Sequence, residues 1–158
     1  MIIKNWLKGL ELLGVIKVIE GLLLTRAEKI INEKGDIYHA IKAESIGFKG
    51  FGEAYFSKIK KGVIKGWKRH NRVTLNLLVP IGEIIFVIYD DRSNSSSNGS
   101  FYETRLSPEN YFRLTVPPGV WVAFKGMKDN NMLLNIIPDE HDPFESDNLP
   151  LDGINYSW

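Results

Sequence analysis

The sequence predicts an all-β domain, a double-sheet sandwich or jelly roll, and three observations predict it. From residue 37 onward, strand-length apolar segments recur between glycine, proline or charged residues. No interior stretch carries a convincing helical period, and no internal repeat is present. With 158 residues, 44% hydrophobic and 25% charged, the chain has the size and composition of a single globular domain around one core.

The first 33 residues are the least defined element. Apolar positions from 10 to 32 fit a helix almost as well as a strand. Val15, Ile16, Val18 and Ile19 are β-branched, and Gly14 and Gly21 interrupt the run, which favours short strands or a dimerisation arm. Segments 37–41, 53–59, 62–67, 73–79 and 83–89 then read as strands. The stretch 92–100, RSNSSSNGS, is small and polar and reads as a solvent-exposed loop. Beyond it, 101–106 and 112–116 are strands, Pro117-Pro118-Gly119 is a turn, and 120–124 and 132–137 are two more strands. The core of the domain is thus expected over 34–137, with 138–158 an acidic, irregular tail.

Composition excludes several functions. Twenty Lys and Arg against nineteen Asp and Glu leave a net charge of +1, too small for general phosphate-backbone binding, so no nucleic-acid partner is expected. The absence of cysteine excludes a disulfide framework, a thiolate nucleophile and cysteine-ligated zinc, and it suits a reducing compartment. Glu11, Lys17 and Glu20 break the longest apolar run, so no membrane span is expected. The beginning of the chain, with Met1, Lys4 and Lys8, lacks the apolar run and cleavage site of a targeting segment, and a cytoplasmic location is expected.

The chain contains no phosphate-cradling GxxxxGK[ST], no HExxH, no GxSxG and no GxGxxG after a strand. Gly47-Phe48-Lys49-Gly50-Phe51-Gly52 is followed by no helical pattern and reads as a loop. His39, His70 and His141 are far apart in sequence, unlike the close pair a metal-binding barrel needs, so no metal is expected. His39 faces either the ligand or the outer sheet, and His141 lies among acidic neighbours at the surface. Asp90-Asp91-Arg92 reads as a strand end closed by a carboxylate–guanidinium pair.

The densest candidate segment is 62–72, GVIKGWKRHNR. Strand alternation puts Trp67, Arg69 and Asn71 on one face and Gly66, Lys68, His70 and Arg72 on the other. Lys68 and His70 therefore point together. On an inward face they would bind a diphosphate and exchange a proton with a carbon acid; on an outward face they would be solvated charges.

GVIKGWKRH, then GEIIFVIYDDRSNSSSNG, then LSPENYFRLTVPPGVWVAFKG, together resemble the dTDP-4-dehydrorhamnose 3,5-epimerase family of cupin-like jelly rolls. The resemblance runs from about Lys34 to Phe124, and the ending through Asn135, Pro138, Asp147 and Tyr156-Ser157-Trp158 looks like a divergent branch of it. It implies a homodimeric enzyme without cofactor, acting on a nucleoside-diphosphate 4-keto-6-deoxyhexose, dTDP-linked in the family. The 4-keto group acidifies the hydrogens on C3 and C5; a base removes one, and an acid on the other face returns a proton with inverted configuration.

The same resemblance distributes roles. Counted from Gly62, the family's base histidine falls on Lys68, leaving Lys68 itself or His70 as the base. The acid tyrosine falls near Asn135, the next-strand lysine near Leu75 or Asn76, and the histidine of the HGF signature on Val122. Lys34 and Lys65 stand where phosphate-contacting arginines are expected, Glu53 near a sugar-contacting glutamine, and Arg72 adds charge beside them. Trp67 and Trp121 either stack on a nucleobase or pack the barrel. The departures leave two alternatives open, a non-catalytic nucleotide-sugar or carbohydrate-binding cupin and a 3,4-ketoisomerase using the same enolate.

Overall fold

The computed structural model describes residues 19–158. Among the described residues twelve strands occur, in the order β1 (Leu23–Arg26), β2 (Lys29–Ile30), β3 (Ile37–Tyr38), β4 (Glu53–Ile59), β5 (Ile64–His70), β6 (Leu75–Ile81), β7 (Ile84–Tyr89), β8 (Phe101–Leu106), β9 (Phe112–Val116), β10 (Trp121–Gly126), β11 (Asn131–Ile137) and β12 (Ser146–Asn148). They form a β1-β9-β6-β11-β4 sheet facing a β12-β5-β10-β7-β8 sheet, with β2 and β3 as a separate hairpin. All strand pairs within the two large sheets are antiparallel, giving the expected all-β cupin-like jelly roll. Among the described residues no helix is long and apolar enough to cross a membrane.

Leu75, Leu77 and Val79 of β6 meet Ile84, Phe86 and Ile88 of β7 in the space between the sheets, where Leu114, Val116, Val122 and Leu133 complete the core. The alternate residues of β6 and β7 are buried as well, because both outer faces are covered. Tyr38, Ala40 and Ile41 pack over Leu78, Tyr111 and Ile136 on the first sheet. Ile154, Tyr156 and Trp158 pack over Trp67, Ile85, Val87, Trp121 and Ala123 on the second. Burial on both faces accounts for the near-continuous apolar runs in β6 and β7, where a sheet with one wet face would alternate.

One segment differs from the sequence reading, and two others add to it. The tail, expected to be irregular, supplies β12, which pairs with β5, and a short 3₁₀ turn at Leu151–Gly153. Three residues are too few to announce a strand when their partner lies some 75 positions away. The polar loop after β7 is mostly exposed, as expected, but it closes over a buried charge: Asp90 is fully buried, and Arg92, Ser95 and Ser97 all donate to its carboxylate. Those donors hold the Asp90 carboxyl far below the usual range despite its burial. Residues 1–18, where much of the expected N-terminal arm falls, lie outside the described residues, and the described part of that arm contributes β1 at the sheet edge.

Candidate active site

Between the sheets, beside the core, lies a cavity of about 280 Å³. Tyr55 and Ser57 of β4 and Leu133 and Asn135 of β11 line it from the first sheet; Lys65, Lys68 and His70 of β5, with Val122 and Phe124 of β10, line it from the second.

A bulge in β5 sets which side chains enter. Val122 pairs with Lys68 and Phe124 with Lys65, so two residues, Gly66 and Trp67, oppose the single Ala123. Strict alternation would put Lys65 on the face of Trp67. The extra residue instead brings Lys65 and Lys68 to the same inner face. Gly66 permits this: its φ is 132°, and a Cβ there would lie 2.6 Å from the Ala123 Cβ.

His70 lies at the end of β5, and its ring Nδ1 is 2.5 Å from Oε2 of Glu145. The other carboxylate oxygen of Glu145 accepts the backbone N–H groups of Arg72 at 2.8 Å and Val73 at 2.9 Å, so the carboxylate is held from both sides. Burial pulls the His70 imidazole below its ordinary value, Lys68 adds to this, and Glu145 opposes it. Burial favours a neutral Glu145 carboxyl, but the Arg72 amide, His70 and the Val73 amide together hold it below the usual range. The pair is thus a neutral imidazole donating Nδ1–H to a carboxylate, which leaves the Nε2 lone pair as the basic site. Glu145 carried no sequence signal: it stands in the acidic tail, far from His70 along the chain.

Lys65 Nζ donates to Ser57 Oγ at 3.1 Å and to the Lys58 carbonyl at 2.9 Å, tying β5 to β4 across the cavity rim. Asn135 Nδ2 donates to the Tyr55 hydroxyl oxygen at 2.9 Å. Asn135 Oδ1 and Oε2 of Glu53 are buried without a hydrogen-bond partner, and Glu53 projects from β4 on the same side as Tyr55. Of the remaining candidates, Trp67 is fully buried beneath the tail, with Nε1 donating to the Leu151 carbonyl. Trp121 lies on the outer face of the second sheet, under the Arg69 guanidinium and donating to Asp91. Arg72 pairs with Asp139 and Asp142 of the tail. Lys34 occupies the turn between β2 and β3, apart from the cavity lining. The structure therefore gathers Lys65, Trp67, Lys68, His70 and Asn135 around one cavity, with Glu53 beside it and the Trp67 indole packed against the tail, and places Lys34, Arg72 and Trp121 elsewhere. His39 lines a separate cavity on the outer side, and among the described residues no three ligand-type side chains gather to hold a metal.

The sequence pattern of the dTDP-4-dehydrorhamnose 3,5-epimerase family matches residues 17–156. The chain belongs to this family. The structure is similar to a dTDP sugar isomerase from Desulfovibrio desulfuricans, with 34% identity, a TM-score of 0.86, and coverage of 92% of this chain and 95% of the other. It also resembles, in fold, the Legionella pneumophila dTDP-6-deoxy-D-glucose-3,5-epimerase solved with dTDP-4-keto-L-rhamnose, at 21% identity and a TM-score of 0.76 over 86% of this chain and 76% of the other. A probable low-salt glycan biosynthesis epimerase of Haloferax volcanii is 32% identical over 104 residues, which span 63% of this chain and 66% of that protein. In this member of the epimerase family, Lys68 and the His70 imidazole stand two residues apart on the same inner face.

Proposed function

We propose that this chain is a nucleotide-sugar epimerase acting on a dTDP-4-keto-6-deoxyhexose, with His70 as the base. The His70–Glu145 pair in the cavity carries this reading. A neutral imidazole fixed in one tautomer by a buried carboxylate is suited to take a proton from the carbon next to a ketone. Lys68, which pairs with Val122 on the same inner face, supplies positive charge for the enolate oxygen that forms. Lys65 at the rim carries charge for the diphosphate, and the unpaired oxygens of Asn135 and Glu53 accept sugar hydroxyls. No step needs a cofactor, because the ketone of the substrate itself stores the electron pair.

Homodimer formation is part of this proposal. β4 ends the first sheet, and its outer face presents Phe56 to solvent, with Ile46 and Phe51 exposed in the segment before it. An apolar sheet edge of this kind is commonly covered by association.

The experiment is incubation with dTDP-4-keto-6-deoxyglucose and assignment of the product configuration at C3 and C5 by proton NMR coupling constants. Inversion at either centre supports the reading. Saturable binding with no conversion would overturn it in favour of a binding protein, and a 3-keto product would make the enzyme a ketoisomerase.

A further inference from the structure

The cavity lies between two sheets, and this decides which side of a bound ring each side chain meets. His70 and Lys68 approach from the sheet containing β5, and Tyr55, Ser57 and Asn135 approach from the sheet containing β4 and β11. Inversion through a planar enolate requires the proton to return on the face opposite the one it left. If His70 removes it, the donor belongs to the first sheet.

Three side chains on that side carry protons on oxygen or nitrogen. Ser57 is an aliphatic alcohol whose oxygen already accepts from Lys65, and an alcohol is a weak acid for this task. The Asn135 carboxamide is weaker still. Tyr55 carries a phenol, and its hydrogen bonding is directional: Asn135 Nδ2–H donates to the phenol oxygen at 2.9 Å, which occupies a lone pair and leaves the O–H proton for another partner. Tyr55 and Asn135 are direct partners in the β4–β11 register, so both project to the inner side. The amide donor also stays against the oxygen once the proton has left, stabilising the charge that develops there.

We propose that Tyr55 is the acid that returns the proton and that Asn135 is its positioning residue. This rests on the enolate reading above. His70 Nε2 takes the proton, the C–H pair becomes the carbon–carbon double bond, and the carbonyl π pair moves to oxygen. On return, the oxygen pair re-forms the carbonyl, the carbon–carbon π pair takes the Tyr55 proton, and the O–H pair remains on the phenolate. His70 then releases a proton to solvent and Tyr55 takes one up, so the enzyme is restored and the sugar has gained and lost one proton.

The test uses Tyr55→Phe and Asn135→Asp with dTDP-4-keto-6-deoxyglucose in deuterium oxide, following both deuterium uptake and product configuration by NMR. Tyr55→Phe is expected to keep taking up deuterium from the His70 side with retained configuration, while inverted product falls by about 100-fold or more. Asn135→Asp is expected to fall similarly, because a carboxylate accepts the phenol proton and withholds it from the substrate. Inverted product formed at the wild-type rate by Tyr55→Phe overturns the assignment of the acid, and wild-type inversion by Asn135→Asp overturns the positioning role. A wild-type protein showing neither exchange nor inversion overturns the enolate reading itself. Unchanged dTDP affinity and thermal midpoint in Tyr55→Phe establish that a loss of inversion is chemical.

Discussion

His70 Nδ1 lies 2.5 Å from Glu145 Oε2, a contact that joins the end of β5 to a residue 75 positions further along the chain. The same carboxylate caps the backbone amides of Arg72 and Val73, so one side chain both closes the β5–β6 connection and fixes the tautomer of the imidazole. Glu145→Gln keeps the shape but removes the charge that steadies an imidazolium. The expected result is a fall in kcat of roughly 100-fold with little change in KM, read from steady-state kinetics. Loss of affinity with unchanged kcat would contradict it.

The pair also sets the pH response. Burial lowers the His70 value below its ordinary 6.5, so the base limb of kcat/KM is expected to turn over below that pH and stay flat through neutrality. Stability follows the same sign. The unfolded chain binds the His70 proton more tightly, so folding free energy rises with pH between the lowered folded value and 6.5, and is lost as pH falls through that window. Glu145 is held below its ordinary 4.5, and its contribution is present above 4.5 and lost as pH falls through its folded value. Urea midpoints measured across this range should fall on the acid side in wild type; in a Glu145→Gln variant the part of the fall below 4.5 should be lost, while the part set by His70 should persist, because Glu145 no longer opposes the lowering of its value.

Gly66→Ala places a Cβ 2.6 Å from the Ala123 Cβ at a φ of 132°. Backbone strain alone is expected to cost about 1–3 kcal/mol, and removing the bulge would turn Lys65 away from the rim. Urea denaturation checks the first effect. Isothermal titration with dTDP checks the second, where weaker binding is expected.

Trp67→Ala is expected to destabilise the fold by about 3–5 kcal/mol without touching the chemistry, because the ring is fully buried under Tyr156 and Trp158. A midpoint shift with kcat retained in the folded fraction is the expected pattern. Loss of nucleotide affinity at unchanged stability would instead mean that the indole contacts the base.

How far the sequence carries can be followed residue by residue. β4, β8 and β9 were readable to their end residues, since each is a strand-length run closed by glycine, proline or charge. That Lys68 and His70 point together followed from alternation, which left open whether their face is inward or outward; the structure turns it inward. Alternation could not show the bulge that brings Lys65 alongside them, because a bulge is a property of two strands and β10 is distant in sequence. Arg72 continued the same face by counting, but the strand ends at His70 and its side chain turns to Asp139 and Asp142. Glu145 and Tyr55 were both missed. Glu145 acts through a long-range contact, and Tyr55 becomes notable only when the register sets it opposite Asn135. The two indoles were ambiguous in sequence because aromatic side chains suit stacking and packing equally, and only the covering tail decides in favour of packing.

Lys68→Met removes the cation beside His70 while leaving the base. It is expected to lower kcat by roughly 100- to 1,000-fold, since the enolate oxygen loses its charge partner. Initial rates at saturating substrate test this, and a change confined to KM would count against it.

The most direct test of the central claim is the rate of deuterium uptake at C3 and C5 of dTDP-4-keto-6-deoxyglucose, compared for the wild type, His70→Asn and Lys68→Met. The account predicts rapid uptake in the wild type, none above background in His70→Asn, and slow but measurable uptake in Lys68→Met. Uptake that persists in His70→Asn and vanishes in Lys68→Met would contradict it and make Lys68 the base.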